Sequence, residues 1–125
     1  MKKILVFLTI LLLTASANAA MTFSDAYSDT KPMAVLIYAD WADDYGTALT
    51  VFRGMQQELG NIYNYVELNI ASEDTKEYNK QNVILPNVPY VMLYRSNCKI
   101  SRLIDKNCAL SPACALPKMK SFIRQ

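Results

Sequence analysis

The pattern of apolar and polar positions predicts eight elements along the chain. Residues 22–30 put Phe23 and Tyr27 on one helical face, with Ser24 placed to cap them. Lys31-Pro32 ends that segment, because proline biases the residue before it away from helix. Met33 to Tyr38 is a continuous apolar run, the signature of a strand covered on both faces. From Asp43 to Leu59 the period becomes helical, with Tyr45, Leu49, Phe52, Met55 and Leu59 three or four apart and Gly60-Asn61 as a stop. Asp43 and Asp44 fall where the helix dipole favours negative charge, so capping explains them without a metal.

Tyr63 to Ile70 predicts a second strand, and Ser72 can cap a polar helix from Glu73 to about Gln81. Val83 to Val88 is a connection. Pro89 then opens a third strand, Tyr90 to Tyr94, at a position where its missing donor lies outside the ladder. Arg95 to Cys98 reads as a turn and Lys99 to Ile104 as a fourth strand, giving an antiparallel hairpin. Ser111 to Arg124 is helical, with Ser111-Pro112 resembling a cap and first-turn proline and Pro117 as either a kink or the true start. The order α-β-α-β-α-β-β-α predicts an α/β sandwich, a central mixed four-stranded sheet with helices on both faces.

The first residues stand apart from this pattern. Lys2 and Lys3, the apolar run Ile4 to Leu13 and the site Ala17-Asn18-Ala19 read as a secretory signal peptide. The run is shorter than the roughly 20 residues a membrane span needs, so no stable membrane anchor is expected after cleavage. The expected division is a signal peptide over 1–19 and one domain over 20–125, periplasmic or secreted. Loss of Lys2 and Lys3 takes the formal charge from +2 to about zero and leaves no basic arm, which argues against nucleic acid as a partner.

An exported chain meets an oxidising compartment, which bears on Cys98, Cys108 and Cys114. Cys108 and Cys114 lie six residues apart across a Pro-containing segment. Cys98 is separated from Cys108 by a predicted strand, which places it roughly 20 Å away, beyond disulfide reach. The expected pair is Cys108–Cys114, with Cys98 free or paired between molecules. The chain has no His, which removes Ser-His triads and His-based metal sites. The cysteines lack zinc spacing, and Gly46, Gly54 and Gly60 build no phosphate loop. No cofactor or metal is expected.

Ligands of open α/β sheets gather at the carboxyl ends of strands, which singles out Tyr38-Ala39-Asp40-Trp41-Ala42-Asp43-Asp44-Tyr45. Together with Lys31-Pro32, Leu68-Asn69-Ile70, Asn87-Val88-Pro89-Tyr90 and the closing hairpin and helix, this stretch resembles the thioredoxin fold over essentially the whole mature chain. The resemblance implies a three-layer sandwich with a cis-proline loop at Val88-Pro89. It also implies a redox motif, Trp-Cys-x-x-Cys, that is absent. Ala42 and Tyr45 stand at the two cysteine positions, and Leu36 stands where the family carries a buried acid. Thiol exchange needs a low-pKa thiolate and a resolving thiol, and these residues supply neither.

The resemblance therefore implies a degenerate, non-catalytic member that keeps a recognition surface at Trp41, Tyr45, Val88, Pro89 and Tyr90 for a protein or peptide partner. Two other readings stand beside it. One is a thiol-disulfide oxidoreductase or isomerase working through Cys108 and Cys114, or Cys98. The other is an obligate subunit of an envelope assembly.

Overall fold

A computed structural model describes residues 21–95 and 99–124. The predicted signal peptide and Cys98 lie outside the described residues. The elements are helix α1 (Phe23–Ser28), strand β1 (Met33–Tyr38), helix α2 (Tyr45–Leu59), a 3-10 turn (Gly60–Ile62), strand β2 (Asn64–Asn69), helix α3 (Glu73–Asn79), strands β3 (Tyr90–Arg95) and β4 (Ile100–Ile104), and helices α4 (Lys106–Ala109) and α5 (Pro112–Phe122).

The sheet runs β2-β1-β3-β4. β1 pairs parallel with β2 and antiparallel with β3, and β3 pairs antiparallel with β4. The apolar run of β1 is explained by this placement. Alternate residues face opposite sides of the sheet. Ala34 and Leu36 enter a core with Phe52 and Met55 of α2 and Met119 and Phe122 of α5. Val35 and Ile37 enter a second core with Phe23 of α1 and Tyr78 of α3. Both faces of the central strand are thus buried under helices.

Several polar groups inside this sandwich are paired. Tyr63 donates from its hydroxyl to the Met119 carbonyl at 2.7 Å, joining β2 to α5. Buried Asn64 donates from Nδ2 to Asp29 Oδ2 at 3.0 Å, and its backbone N–H donates to the Pro32 carbonyl. That carboxylate is held below its ordinary pKa, chiefly by the Asn64 bond. The Tyr78 and Tyr94 hydroxyls meet at 2.6 Å in the second core.

Several boundaries differ from the sequence expectation. α1 is capped by Thr22, whose Oγ1 accepts from the Asp25 N–H, rather than by Ser24, which lies inside the helix. α2 begins at Tyr45, two residues later than the pattern suggests, so Asp43 and Asp44 belong to the preceding turn. Ser72 holds the N-cap position of α3, yet its hydroxyl meets Thr75 Oγ1 instead of a backbone N–H. Pro117 is interior to α5, which starts at Pro112 after Ser111.

The segment 105–110, expected to be loop, contains α4. Asp105 caps it by accepting the Cys108 N–H at 3.1 Å. Cys108 and Cys114 are joined, with Cα atoms 5.1 Å apart, so the disulfide links α4 to α5. Gly60 ends α2 with φ +67°, the left-handed region that glycine enters most readily.

Candidate functional site

The turn after β1 is built from backbone bonds. The Ala42 N–H donates to the Ala39 carbonyl at 3.0 Å, and the Tyr45 N–H donates to the Ala42 carbonyl at 3.3 Å. This leaves Trp41 at the tip, 73% exposed, and Tyr45 at the head of α2, 38% exposed. The Tyr45 ring stacks on Tyr38, centroids 6.2 Å apart and planes 13° from parallel. Ala42 packs half-buried on the α1/α3 core.

The loop before β3 has a cis Val88–Pro89 peptide bond. Its side chains point inward. Val88 and Pro89 are buried, and Tyr90 is 1% exposed with its hydroxyl accepting the Leu85 N–H at 2.9 Å. Of the five residues in the expected recognition surface, only Trp41 and Tyr45 present side chains to solvent. Tyr90 instead braces the 82–88 connection from below, because its position in β3 faces the second core. Tyr90 to Tyr94 carries no polar alternation that could have separated it from a surface aromatic, because both faces of β3 are covered.

Asp44 does not cap α2. Its backbone is helical, with φ −91° and ψ 0°, and its side chain makes no cap hydrogen bond. It lies 3.2 Å from Lys106 Nζ, so α4 supplies a countercharge to this one carboxylate of the turn. Sequence reasoning missed Lys106 as a member of this region, and it placed Tyr38 in the singled-out stretch without giving it a part in the recognition surface. No local spacing connects Lys106 to Asp44. Tyr38, by contrast, flanks the same turn as Tyr45 and ends the apolar strand.

Behind the stacked tyrosines, Arg53 Nε and Nη2 donate to both oxygens of Glu67, at 3.0 and 2.8 Å. The Glu67 carboxylate raises the Arg53 pKa further. The Tyr38 phenol is pushed up by partial burial first and by Glu67 second. Leu36, at the position implied for a buried acid, is fully buried in the α2/α5 core. The turn therefore combines an exposed indole, a stacked phenol pair and a compensated carboxylate, with no thiol at its helix start. Among the described residues no group of three or more His, Cys, Asp or Glu side chains gathers to hold a metal ion.

No protein-family model and no curated protein matches the sequence. Solved structures match it in fold. The chain is similar to chloroplastic thioredoxin z with a TM-score of 0.65 and 10% identity, over 85% of this chain and 94% of that one. It is similar to mitochondrial thioredoxin 3 from Saccharomyces cerevisiae in its oxidized form, with a TM-score of 0.59 and 14% identity, over 85% and 96% of the two chains. It is also similar to the J-Trx1 fragment of ERdj5, with a TM-score of 0.63 and 13% identity, over 82% of this chain and 48% of that fragment. The fold is thioredoxin-like, and the mixed β2-β1-β3-β4 sheet between helical layers is consistent with it.

Proposed function

We propose that the protein is an exported, non-catalytic thioredoxin-like protein that binds a protein or peptide partner at the face carrying Trp41 and Tyr45. The observation that carries this reading is the pairing of an exposed indole at the tip of the turn with Ala42 and Tyr45 at the two thiol positions. Aromatic side chains with polar tips are enriched where binding energy concentrates. Tyr45 is pre-positioned by its stack on Tyr38, which lowers the entropy lost on contact. Val88 and Pro89 belong to this reading through their backbone, which can offer hydrogen bonds to an extended segment. Residues 1–19 serve as the export signal, and the partner lies in the periplasm or outside the cell.

The test is calorimetric titration of extended peptides against the native protein and a Trp41→Ala/Tyr45→Ala variant. Binding is expected for the native protein and lost in the variant, with circular dichroism unchanged. Equal heats from both proteins would remove this surface from the reading. Dithiol-dependent insulin reduction is expected to stay at background.

One observation favours a second reading. Cys114 is half-buried at the start of α5 while Cys108 is buried, so one end of the disulfide is the more approachable by an attacking thiolate. A measured reduction potential separates the two. A value near or above about −200 mV supports thiol exchange, and one below about −300 mV marks a structural bond.

A further inference from the structure

α2 and α5 share the first core through Phe52, Met55, Met119 and Phe122 but leave part of their outer surfaces unfilled. Between them runs an open groove of about 400 Å³, walled by Val51 and Met55 of α2 and by Pro112 and Leu116 of α5. Exposed Gly54 also lines it, and a Cβ built there meets nothing within 4 Å. Its rim carries Glu58, an exposed carboxylate that forms no ion pair among the described residues.

We propose that this groove receives a helix of a partner protein, one that presents an apolar stripe with a lysine or arginine opposite Glu58. Three features select that occupant. Thr50, Gly54 and Glu58 recur every four residues and so lie along one row of α2. Rows of this spacing are the ridges and grooves by which helices pack, at interaxial distances of about 8–10 Å. Glycine in the middle of that row lets a second backbone approach closely, although glycine is the weakest ordinary helix former and nothing within α2 itself requires it there. The lone carboxylate at the end of an apolar trough matches a cation on an otherwise apolar helix, and disfavours an acidic one.

The walls are held firmly. Pro112 and Leu116 flank Cys114, whose bond to Cys108 fixes the first turn of α5 to α4. Cys108 itself is buried in the α2/α5 core. The groove is therefore available without rearrangement, and it lies outside the Trp41 turn.

Two synthetic amphipathic helical peptides, each about 15 residues long, provide the probe. Both carry leucines at i, i+4 spacing, and they differ only in a flanking lysine or glutamate. Titration followed by backbone amide shifts is expected to move Val51, Gly54, Glu58 and Leu116 with the lysine peptide and to show weaker binding of the glutamate peptide. Gly54→Leu puts a side chain where the helix row is open and is expected to weaken the lysine peptide at least about tenfold. Glu58→Lys, an exposed change that leaves packing intact, is expected to invert the preference between the two peptides. Trp41→Ala is expected to leave both affinities unchanged, which separates this groove from the Trp41 face. Absence of these shifts at millimolar lysine peptide overturns the proposal. So does an unchanged preference in Glu58→Lys, which remains decisive if Gly54→Leu misfolds.

Discussion

Lys106 Nζ stands 3.2 Å from Asp44 Oδ2, and this ion pair ties α4 to the turn that carries Trp41. Both side chains are partly exposed, at 35% and 43%, so solvent screens the attraction. Lys106→Met is expected to lower stability by no more than about 1 kcal/mol, with the difference shrinking as salt is added. Urea unfolding at low and high ionic strength checks this. A larger loss that ignores salt would mean that the lysine acts through packing of its stem.

Removing the disulfide is expected to cost more. Cys108→Ala/Cys114→Ala opens a short loop, worth about 2–3 kcal/mol on the chain-entropy estimate. Thermal unfolding of the variant should show the shift, with the thioredoxin-like sheet intact by circular dichroism.

The hydroxyl of Tyr63 offers a sharper internal probe. It donates to the Met119 carbonyl from a buried position. Tyr63→Phe leaves that acceptor without its side-chain donor and is expected to cost about 1–2 kcal/mol. A change within a few tenths of zero in denaturant unfolding would show that this bond contributes little.

Gly54 inside α2 and Gly60 just past its end are expected to respond in opposite directions. At Gly54 the backbone is helical and the space above is open, so Gly54→Ala should stabilise by about 0.5–1 kcal/mol. At Gly60 the positive φ strains any L side chain, so Gly60→Ala should destabilise by about 1 kcal/mol or more. Paired denaturation curves decide it, and a shared sign for both would contradict the assigned backbone.

Alkaline pH is expected to unfold the protein through its tyrosines. Burial pushes Tyr65 up to about 12 from 10.0, and pushes Tyr63 and Tyr90 up as well. Their folded pKa values lie above the unfolded ones, so their contribution is complete below about pH 10 and is lost as pH rises toward about 12. Phenolate absorbance from Tyr63, Tyr65 and Tyr90 should therefore appear late, together with unfolding. A single early wave would show that the cores are open to solvent.

Much of the fold was legible because long-period signals dominate it. The run Met33 to Tyr38 could only be a strand buried on two faces, and that places β1 at the centre of the sheet. The spacing Tyr45-Leu49-Phe52-Met55-Leu59 located α2 for the same reason. Short elements escaped, because α4 is a single turn whose cap, Asp105, also reads as ordinary loop residue.

The site was legible only in part. Trp41 and Tyr45 lie at a strand end and a helix start, where local pattern predicts exposure. Tyr90 turns inward because its pairing with Ile37 puts it over the second core, a fact of register that no single segment contains. The Asp44–Lys106 pair and the α2/α5 groove depend on elements remote in sequence, and neither leaves a local trace.

Trp41 is the sole tryptophan in the chain, and it stands in water while most of the eight tyrosines are buried. The indole's emission in the native state should already resemble that of the denatured chain. Fluorescence would then be nearly silent during unfolding, and a flat trace would say nothing about stability. The same silence makes a blue shift meaningful, because only something laid over Trp41 can produce it. Near-ultraviolet dichroism of the buried phenols reports whether the molecule is folded, and indole colour reports whether it has company.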